Sequence, residues 1–319
     1  MKLFSTAPLA KKAEHTLKRL LILSDEPLAT HEHASSLKSA AEKKGVRVHV
    51  KPYHACTLKS HMKGYGGGQS AITVEDSDEP YHAVLARSIA HGSLEELTFK
   101  LSLLHSFEQA GVAVINSPSS IEATIDKGRC MHMLRYHQLP IPHTWTTCCE
   151  QQAVALVRAH STAEHPLVFK PLFGAQGKGI TLVSKPTDLP SKQQAGGVWH
   201  LQKFIPCTNE QGQFQNWRVL VIGNKAHATM CRVSSSWINN ASLQATCALV
   251  HEPALEALAV DVARCLQLAY GGIDIIRDAH GHPMILEANS VPAWRALENS
   301  GAEKVAPALI DFVLGGKTP

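Results

Sequence analysis

Two short apolar runs, GGIDIIRD (271–278) and PMILEANS (283–290), constrain this chain more than any other segment, because only the polar turn DAHGHP separates them. β-Rich runs on either side of a glycine-containing turn read as a hairpin. Its centre of symmetry falls between His280 and Gly281, and counting back sets Asp274 opposite Glu287, subject to a bulge. Side chains two apart share one face of a strand, so Glu287 and Asn289 project beside Asp274 as hard oxygen donors. Such a set suits Mg²⁺ held with nucleotide phosphates. A lone acid near a hairpin is ordinarily just solvated, but a Glu directly after Ile-Leu in a buried strand needs a partner.

The chain leading to this hairpin has two textures. LLIL (20–23), a helical stretch from Thr30 closed by Gly45, VRVHV (46–50) and AVLARS (83–88) alternate strand and helix, an α/β layer pattern. Ser93 and Glu96 form a capping box, after which Leu94, Leu97, Leu101 and Leu104 predict one apolar helix face up to Gly111. VAVIN (112–116) reads as a buried strand, and Pro118 opens a helix expected to carry Asp126 and Lys127. From residue 165 onward PLVFKPL, GITLVS, VWHLQKFI, WRVLVIG and KAHATMCRV are strands joined by Gly-rich turns, which suits antiparallel sheet. Helices over 253–270 and near 302–314 flank the hairpin. At 319 residues the chain exceeds one typical domain. The textures divide it into an N-terminal α/β domain 1–116, a central lobe 117–200 with the Gly-rich hairpin, and a C-terminal lobe 201–319 with the acids.

Several function classes drop out. A net charge of +4 without blocks of Lys and Arg makes nucleic acid an unexpected partner. No apolar run approaches the roughly 18 residues of a membrane span, so no membrane partner and a cytoplasmic location are expected. Eight cysteines without a C-x-x-C pair point to reduced thiols rather than a zinc ribbon or a disulfide scaffold. The sequence has no G-x-S-x-G elbow and no H-E-x-x-H. KGYGGGQS places Gln69 where a dinucleotide fingerprint needs glycine, so it reads as a flexible loop. The pairs His31/His33 and His280/His282 are expected by chance among 19 histidines.

FKPLFGAQGKGITLV (169–183) carries Lys170 on a strand, then Gly174, Gly177 and Gly179, then a second strand. The spacing fails the Walker A pattern, which opens a helix. A Gly-rich hairpin can still fold over polyphosphate through backbone N–H groups and a lysine, a structural turn being the competing reading. Lys127, Arg218 and Arg232 add cations on other elements.

Taken in order, Asp126-Lys127, FKPLFGAQGKG, LQKFIP, NWRVLVIG, ATMCR, GGIDII and ILEANS resemble the ATP-grasp superfamily, and within it the RimK-type amino-acid ligases, over residues 83–314. The resemblance implies a mixed α/β and α+β fold, an N-terminal α/β domain followed by two α+β lobes enclosing ATP. It implies Mg²⁺ (or Mn²⁺), a carboxylate that takes the γ-phosphate, and an amine that displaces phosphate to leave an amide. Carried over by motif, Lys127, Lys170, Gly174, Gln176, Gly177 and Gly179 hold the phosphates, and Lys203 and Phe204 meet adenine through their backbone. Asn216 and Arg218 lie near the ribose and the transferring phosphate, with Arg218 and Arg232 as catalytic cations and Asn240 beside the phosphates. Asp274, Glu287 and Asn289 match the metal ligands. Lys203 stands where the family usually has Glu, and Asn216 where RimK-like enzymes have Asp.

EANSVPAWRAL (287–297) and SSWINN are similar to the ligases of tetrahydromethanopterin biosynthesis, which attach glutamate to a pterin with a carboxylate tail. That likeness implies a small-molecule carboxylate and an amino acid, L-glutamate, as partners, and leaves room for a homo-oligomer. It assigns Trp294 to stacking on a flat ring, with a packing anchor as the competing reading, Arg295 to a carboxylate, and Arg87 and His91 to substrate contact. Glutamate addition to a protein C-terminus or another small molecule, phosphotransfer to a hydroxyl, and ATP binding without turnover stay open as alternatives. The complete Asp274, Glu287 and Asn289 set weighs against the last.

Overall fold

The computed structural model describes residues 19–26, 32–59, 72–77, 79–89, 92–174, 177–238 and 245–315. The N-terminal layer consists of β1 (Arg19–Leu23), α1 (Glu32–Glu42), β2 (Arg47–Lys51), β3 (Cys56–Leu58), β4 (Ile72–Val74), β5 (Ala83–Ala86), α2 (Leu94–Gln109) and β6 (Ala113–Ile115). Four strands form a parallel sheet in the order β2-β1-β5-β6, and β3 pairs with β4 in a separate ribbon. Every residue of β1 is buried because both sheet faces are covered. Leu20 and Ile22 share a core with Leu37 and Ala41 of α1, while Leu21 and Leu23 pack with Leu103, Leu104 and Phe107 of α2.

The capping box of α2 forms as its spacing predicts: Glu96 N donates to Ser93 Oγ (3.2 Å) and Ser93 N to Glu96 Oε2 (2.7 Å). The predicted apolar face is only partly correct. Leu104 is buried with Leu103 and Phe107, but Leu94 is 77% exposed, because only the second half of the helix packs into the core. The single helix expected across residues 126–127 is two, α3 (Pro118–Ile125) and α4 (Lys127–Tyr136). Asp126 is extended and caps α4, its Oδ1 accepting from Arg129 N at 2.9 Å, a local bond that competes with helix continuation.

β7 (Thr144–Thr147), α5 (Glu150–His160), β8 (Leu167–Lys170), β9 (Thr181–Val183) and β10 (Trp199–Lys203) follow. The strands form an antiparallel sheet in the order β7-β10-β8-β9, with Phe169, Trp199 and Leu201 packed on Val157 of α5. The remaining elements are β11 (Phe214–Ile222), β12 (Lys225–Ser234), β13 (Thr246–Val250), α6 (Pro253–Cys265), β14 (Tyr270–Arg277), β15 (Pro283–Asn289), α7 (Arg295–Asn299) and α8 (Val305–Leu314). α6 stops short of residue 270 because Tyr270 already begins β14.

The last sheet has the order β13-β12-β11-β14-β15. Val219, Ile273, Ile275 and Ile285 turn one face toward α6 and α4. Asn216, Arg218, Arg232 and Asp274 alternate with such residues and point the other way. Arg277 pairs with Pro283 and Ile275 with Ile285, after which a register shift pairs Asp274 with Glu287. The shift matters: Glu287 lies two after Ile285 and in regular pairing would share its buried face, whereas the extra residue, Leu286, turns it toward Asp274.

Asn116 stitches the first sheet to the last. Its Nδ2 donates to the Tyr270 and Ser290 carbonyls (2.8 and 2.6 Å), and its Oδ1 accepts from Ala269 N and Tyr270 N (2.7 and 3.1 Å), so a fully buried amide is completely satisfied. Among the described residues no helix is long and apolar enough to cross a membrane.

Candidate active site

A cavity of about 920 Å³ opens where the three larger sheets meet. At its floor Arg218 grips Asp274 with two parallel bonds, Nε to Oδ1 and Nη2 to Oδ2, both 2.6 Å. Arg232 Nη2 lies 3.0 Å from Asp274 Oδ1, and its Nε donates to Asn216 Oδ1 at 2.7 Å. The β11–β12 register puts Asn216 directly opposite Arg232, and the β11–β14 register puts Arg218 opposite Asp274. Burial alone would raise the Asp274 carboxyl, yet Arg218 and Arg232 hold it at about 2. The same carboxylate keeps the Arg218 guanidinium firmly protonated against its burial.

Glu287 and Asn289 line the same cavity. Glu287 is half-buried and forms no hydrogen bond or ion pair with another described residue. The Asn289 Oδ1 accepts from Val291 N at 2.9 Å, which fixes its orientation. An unpaired carboxylate next to a second carboxylate and an amide oxygen is a donor set that fits a hard divalent cation.

Lys127 and Lys170 complete the cationic lining. Burial lowers the Lys170 ammonium to about 8, with Glu287 pulling it upward and Lys127 pushing it down. Its Nζ donates to Gln202 Oε1 at 2.7 Å, and Gln202 Nε2 donates to Thr144 Oγ1 at 3.1 Å. Gln202, 1% exposed, therefore aims the lysine. It was missed in the sequence, where the signal was an amide inside the apolar strand WHLQK. Lys127 Nζ donates to the Gly174 carbonyl at 2.7 Å and so holds the Gly-rich loop to the start of α4. Gly177 and Gly179 both have φ of +73°, and a Cβ on Gly179 would come within 2.9 Å of Pro171. Gly174 and Gly177 line the cavity, whereas Gly179 shapes the loop.

Phe204 lines the wall with Phe214 (centroids 6.4 Å apart) and Trp237 (5.7 Å), an aromatic face of which the sequence reading named only Phe204. Lys203 lies beside it with an exposed side chain. His91, Gln176, Asn240, His31 and the KGYGGGQS segment lie outside the described residues.

Trp294 is a correction. The ring is 1% exposed and does not line the cavity; the Arg87 guanidinium lies over it at 4.5 Å and the His33 ring at 4.4 Å. With those neighbours against it the indole is a packing anchor and has no face left for a substrate ring. Arg295 is at the rim, 2.7 Å from Glu32.

Residues 124–313 match the RimK-like ATP-grasp domain. The chain is 30% identical over 237 residues to a tetrahydromethanopterin:alpha-L-glutamate ligase of Methanococcus maripaludis, covering 72% of this chain and 77% of the relative. It is 29% identical over 300 residues to a probable alpha-L-glutamate ligase of Shewanella baltica, covering 92% and 95%. Its fold superposes on the ATP-grasp ligase PsnB, solved with a phosphomimetic variant of a minimal precursor, Mg and ADP, with a TM-score of 0.67, 18% identity, and 93% and 98% of the two chains covered.

Proposed function

This chain belongs to the RimK-like ATP-grasp family, and from that premise we propose that it joins the amine of L-glutamate to a small carboxylate acceptor of the tetrahydromethanopterin type. It is an ATP-dependent, ADP-forming ligase whose cofactors are ATP and Mg²⁺. ATP supplies the phosphoryl group that activates the acceptor carboxylate as an acylphosphate, so that an amine can displace phosphate and leave an amide.

The residues divide the remaining work. Lys127, Lys170 and Arg218 line the cavity as fixed positive charge toward the phosphates. Arg232, tied to Asn216 and Asp274, keeps that end of the cavity preorganised. Asp274, Glu287 and Asn289 would hold the Mg²⁺ (or Mn²⁺). The aromatic wall of Phe204, Phe214 and Trp237 offers a flat apolar surface to adenine and excludes water. Arg87 and Arg295 belong to the substrate end, in a reaction we place in the cytoplasm, where ATP is available.

The observation that carries this reading is the register that turns Asp274 and Glu287 together into a cavity lined by Lys127, Lys170 and Arg218. The test is ADP release by the purified protein with MgATP and L-glutamate, with and without a tetrahydromethanopterin-type acceptor, followed by the mass of the acceptor. Acceptor-dependent ADP with a glutamyl mass increment is the expected result. ADP release indifferent to that acceptor points to a carboxylate on another small molecule or a peptide.

A further inference from the structure

Arg87 lines the cavity yet is 2% exposed. Its Nη1 donates to Tyr270 Oη at 2.9 Å and its Nη2 to the Pro292 carbonyl at 3.0 Å, while Nε has no partner. The guanidinium lies over the rings of Trp294 (4.5 Å) and Tyr270 (5.8 Å). All of these neighbours are neutral, and among the described residues no carboxylate pairs with it. A guanidinium keeps its charge and carries five N–H donors, so this one is a buried cation with unused donors. Burying a charge without a counterion is unfavourable, and the chain tolerates it where an anion from outside completes the site.

The position of Arg87 in the fold says where that anion comes from. It follows β5 directly, and its N–H donates to the Leu23 carbonyl at the end of β1 (2.8 Å). β1 and β5 are the strands on either side of the point where the parallel sheet reverses its order, and ligands of open parallel sheets bind beyond the carboxyl ends at such a point. Pro292, whose carbonyl Arg87 holds, packs on Gly272: a Cβ there would lie 2.9 Å from Pro292 Cβ and 3.8 Å from Arg218 Cδ. One proline therefore separates the Arg87 corner from the phosphate end. A substrate with its reacting group beside Arg218 and a second charged group a few bonds away spans that distance.

We propose that Arg87 is a specificity residue that seats a non-reacting carboxylate of a substrate, a deepening that rests on the ligase reading above. L-Glutamate offers two carboxylates beside its amine, and a glutamyl-tailed pterin offers further ones. The shared chemistry is a carboxylate on a bidentate guanidinium.

The full-length wild type, R87K and R87Q are titrated calorimetrically with Mg²⁺ and a non-hydrolysable ATP analogue. Once saturated with it, they are titrated with L-glutamate, L-glutamine, isoglutamine and a pteroylglutamate. R87Q is expected to weaken a carboxylate ligand by at least about 30-fold, as the loss of one partner of a buried charge pair does, R87K by less, with nucleotide affinity unchanged. A loss confined to glutamate and glutamine assigns the α-carboxylate, a loss confined to glutamate and isoglutamine the γ-carboxylate, and a loss on the pteroylglutamate alone the acceptor's. Unchanged affinities for all four in folded R87Q overturn the proposal, as does a loss in nucleotide affinity instead. If R87Q does not fold, R87K decides: unchanged carboxylate affinities overturn the proposal equally. The ligase reading stands or falls separately, on ADP release by the wild type.

Discussion

Two groups of charges share the cavity and differ in how they are neutralised. Arg218 and Arg232 close on Asp274, a cluster completed within the last sheet. Arg87 and Glu287 lack such bonded partners: the cation lies among neutral groups, and the acid, with no hydrogen bond or ion pair to a described residue, meets Lys170 and Arg218 only through their field across the cavity. A charge compensated internally holds the fold together, and its loss leaves its partner stranded. A charge left uncompensated costs the fold something and is kept for what binds it, so removing it costs function and spares stability.

The largest expected effect comes from the acid that no hydrogen bond holds: E287Q abolishes turnover while the melting temperature stays at the wild-type value. Full activity in E287Q sinks the metal assignment. Next is D274A, which removes a metal ligand and also strands Arg218 and Arg232, so it is expected to lose turnover together with about 3–5 kcal/mol in urea denaturation, the cost of breaking a buried ion pair. A third measurement sets R232Q beside R87Q. R232Q removes one of the two arginines on Asp274 and the donor to buried Asn216, at about 3 kcal/mol, whereas R87Q loses the bonds to Tyr270 and Pro292 but relieves a charge that no acid answers, at about 1 kcal/mol. Equal losses would erase the distinction between the two groups.

A further set of effects is in pH. His200 is 1% exposed beside Thr146 Oγ1 (2.8 Å), and burial, with help from Lys170 and Lys127, pushes its imidazole down to about 3. The unfolded chain binds that proton near its ordinary value of 6.5, so the stabilisation is complete above it and is lost as the pH falls toward 3. Denaturation at neutral and mildly acidic pH should show this loss in the wild type and a flatter acid limb in H200Q. Lys170 adds a ligand-side counterpart: with its ammonium at about 8, affinity for the nucleotide analogue with Mg²⁺ should fall as the pH rises through that value, read by equilibrium dialysis.

The sequence revealed what short-range geometry controls. The count from the turn reached the Asp274–Glu287 pairing only because two offsets cancel: the turn is centred on His280, pairing Arg277 with Pro283, and the bulge at Leu286 restores the partner that a centre between His280 and Gly281 gives. The strands around the Gly-rich loop were legible from their own punctuation. Trp294 was not, because the groups that cover it, Arg87 and His33, come from the N-terminal third of the chain. The Ser93 box located the start of α2, but periodicity cannot say how much of a helix lies over a sheet, and so Leu94 was placed in a core it never enters. The grip of Arg218 and Arg232 on Asp274 required the order β12-β11-β14, which joins strands far apart in sequence. The residues at the floor could therefore be singled out one by one, while their mutual pairing stayed hidden.

The core shared by Leu20 and Ile22 of β1 also contains Val305, Leu309 and Ile310 of α8. Translation delivers these two groups about 280 residues apart. While the ribosome is making everything between them, α1 covers this face of the first sheet without the helix that packs on its own outer side, and the apolar side chains that α8 later buries are open to chaperones or to neighbouring nascent chains. A product truncated before α8 would keep α1 on its first sheet but leave that core short of Val305, Leu309 and Ile310, an exposed apolar face for quality control to recognise.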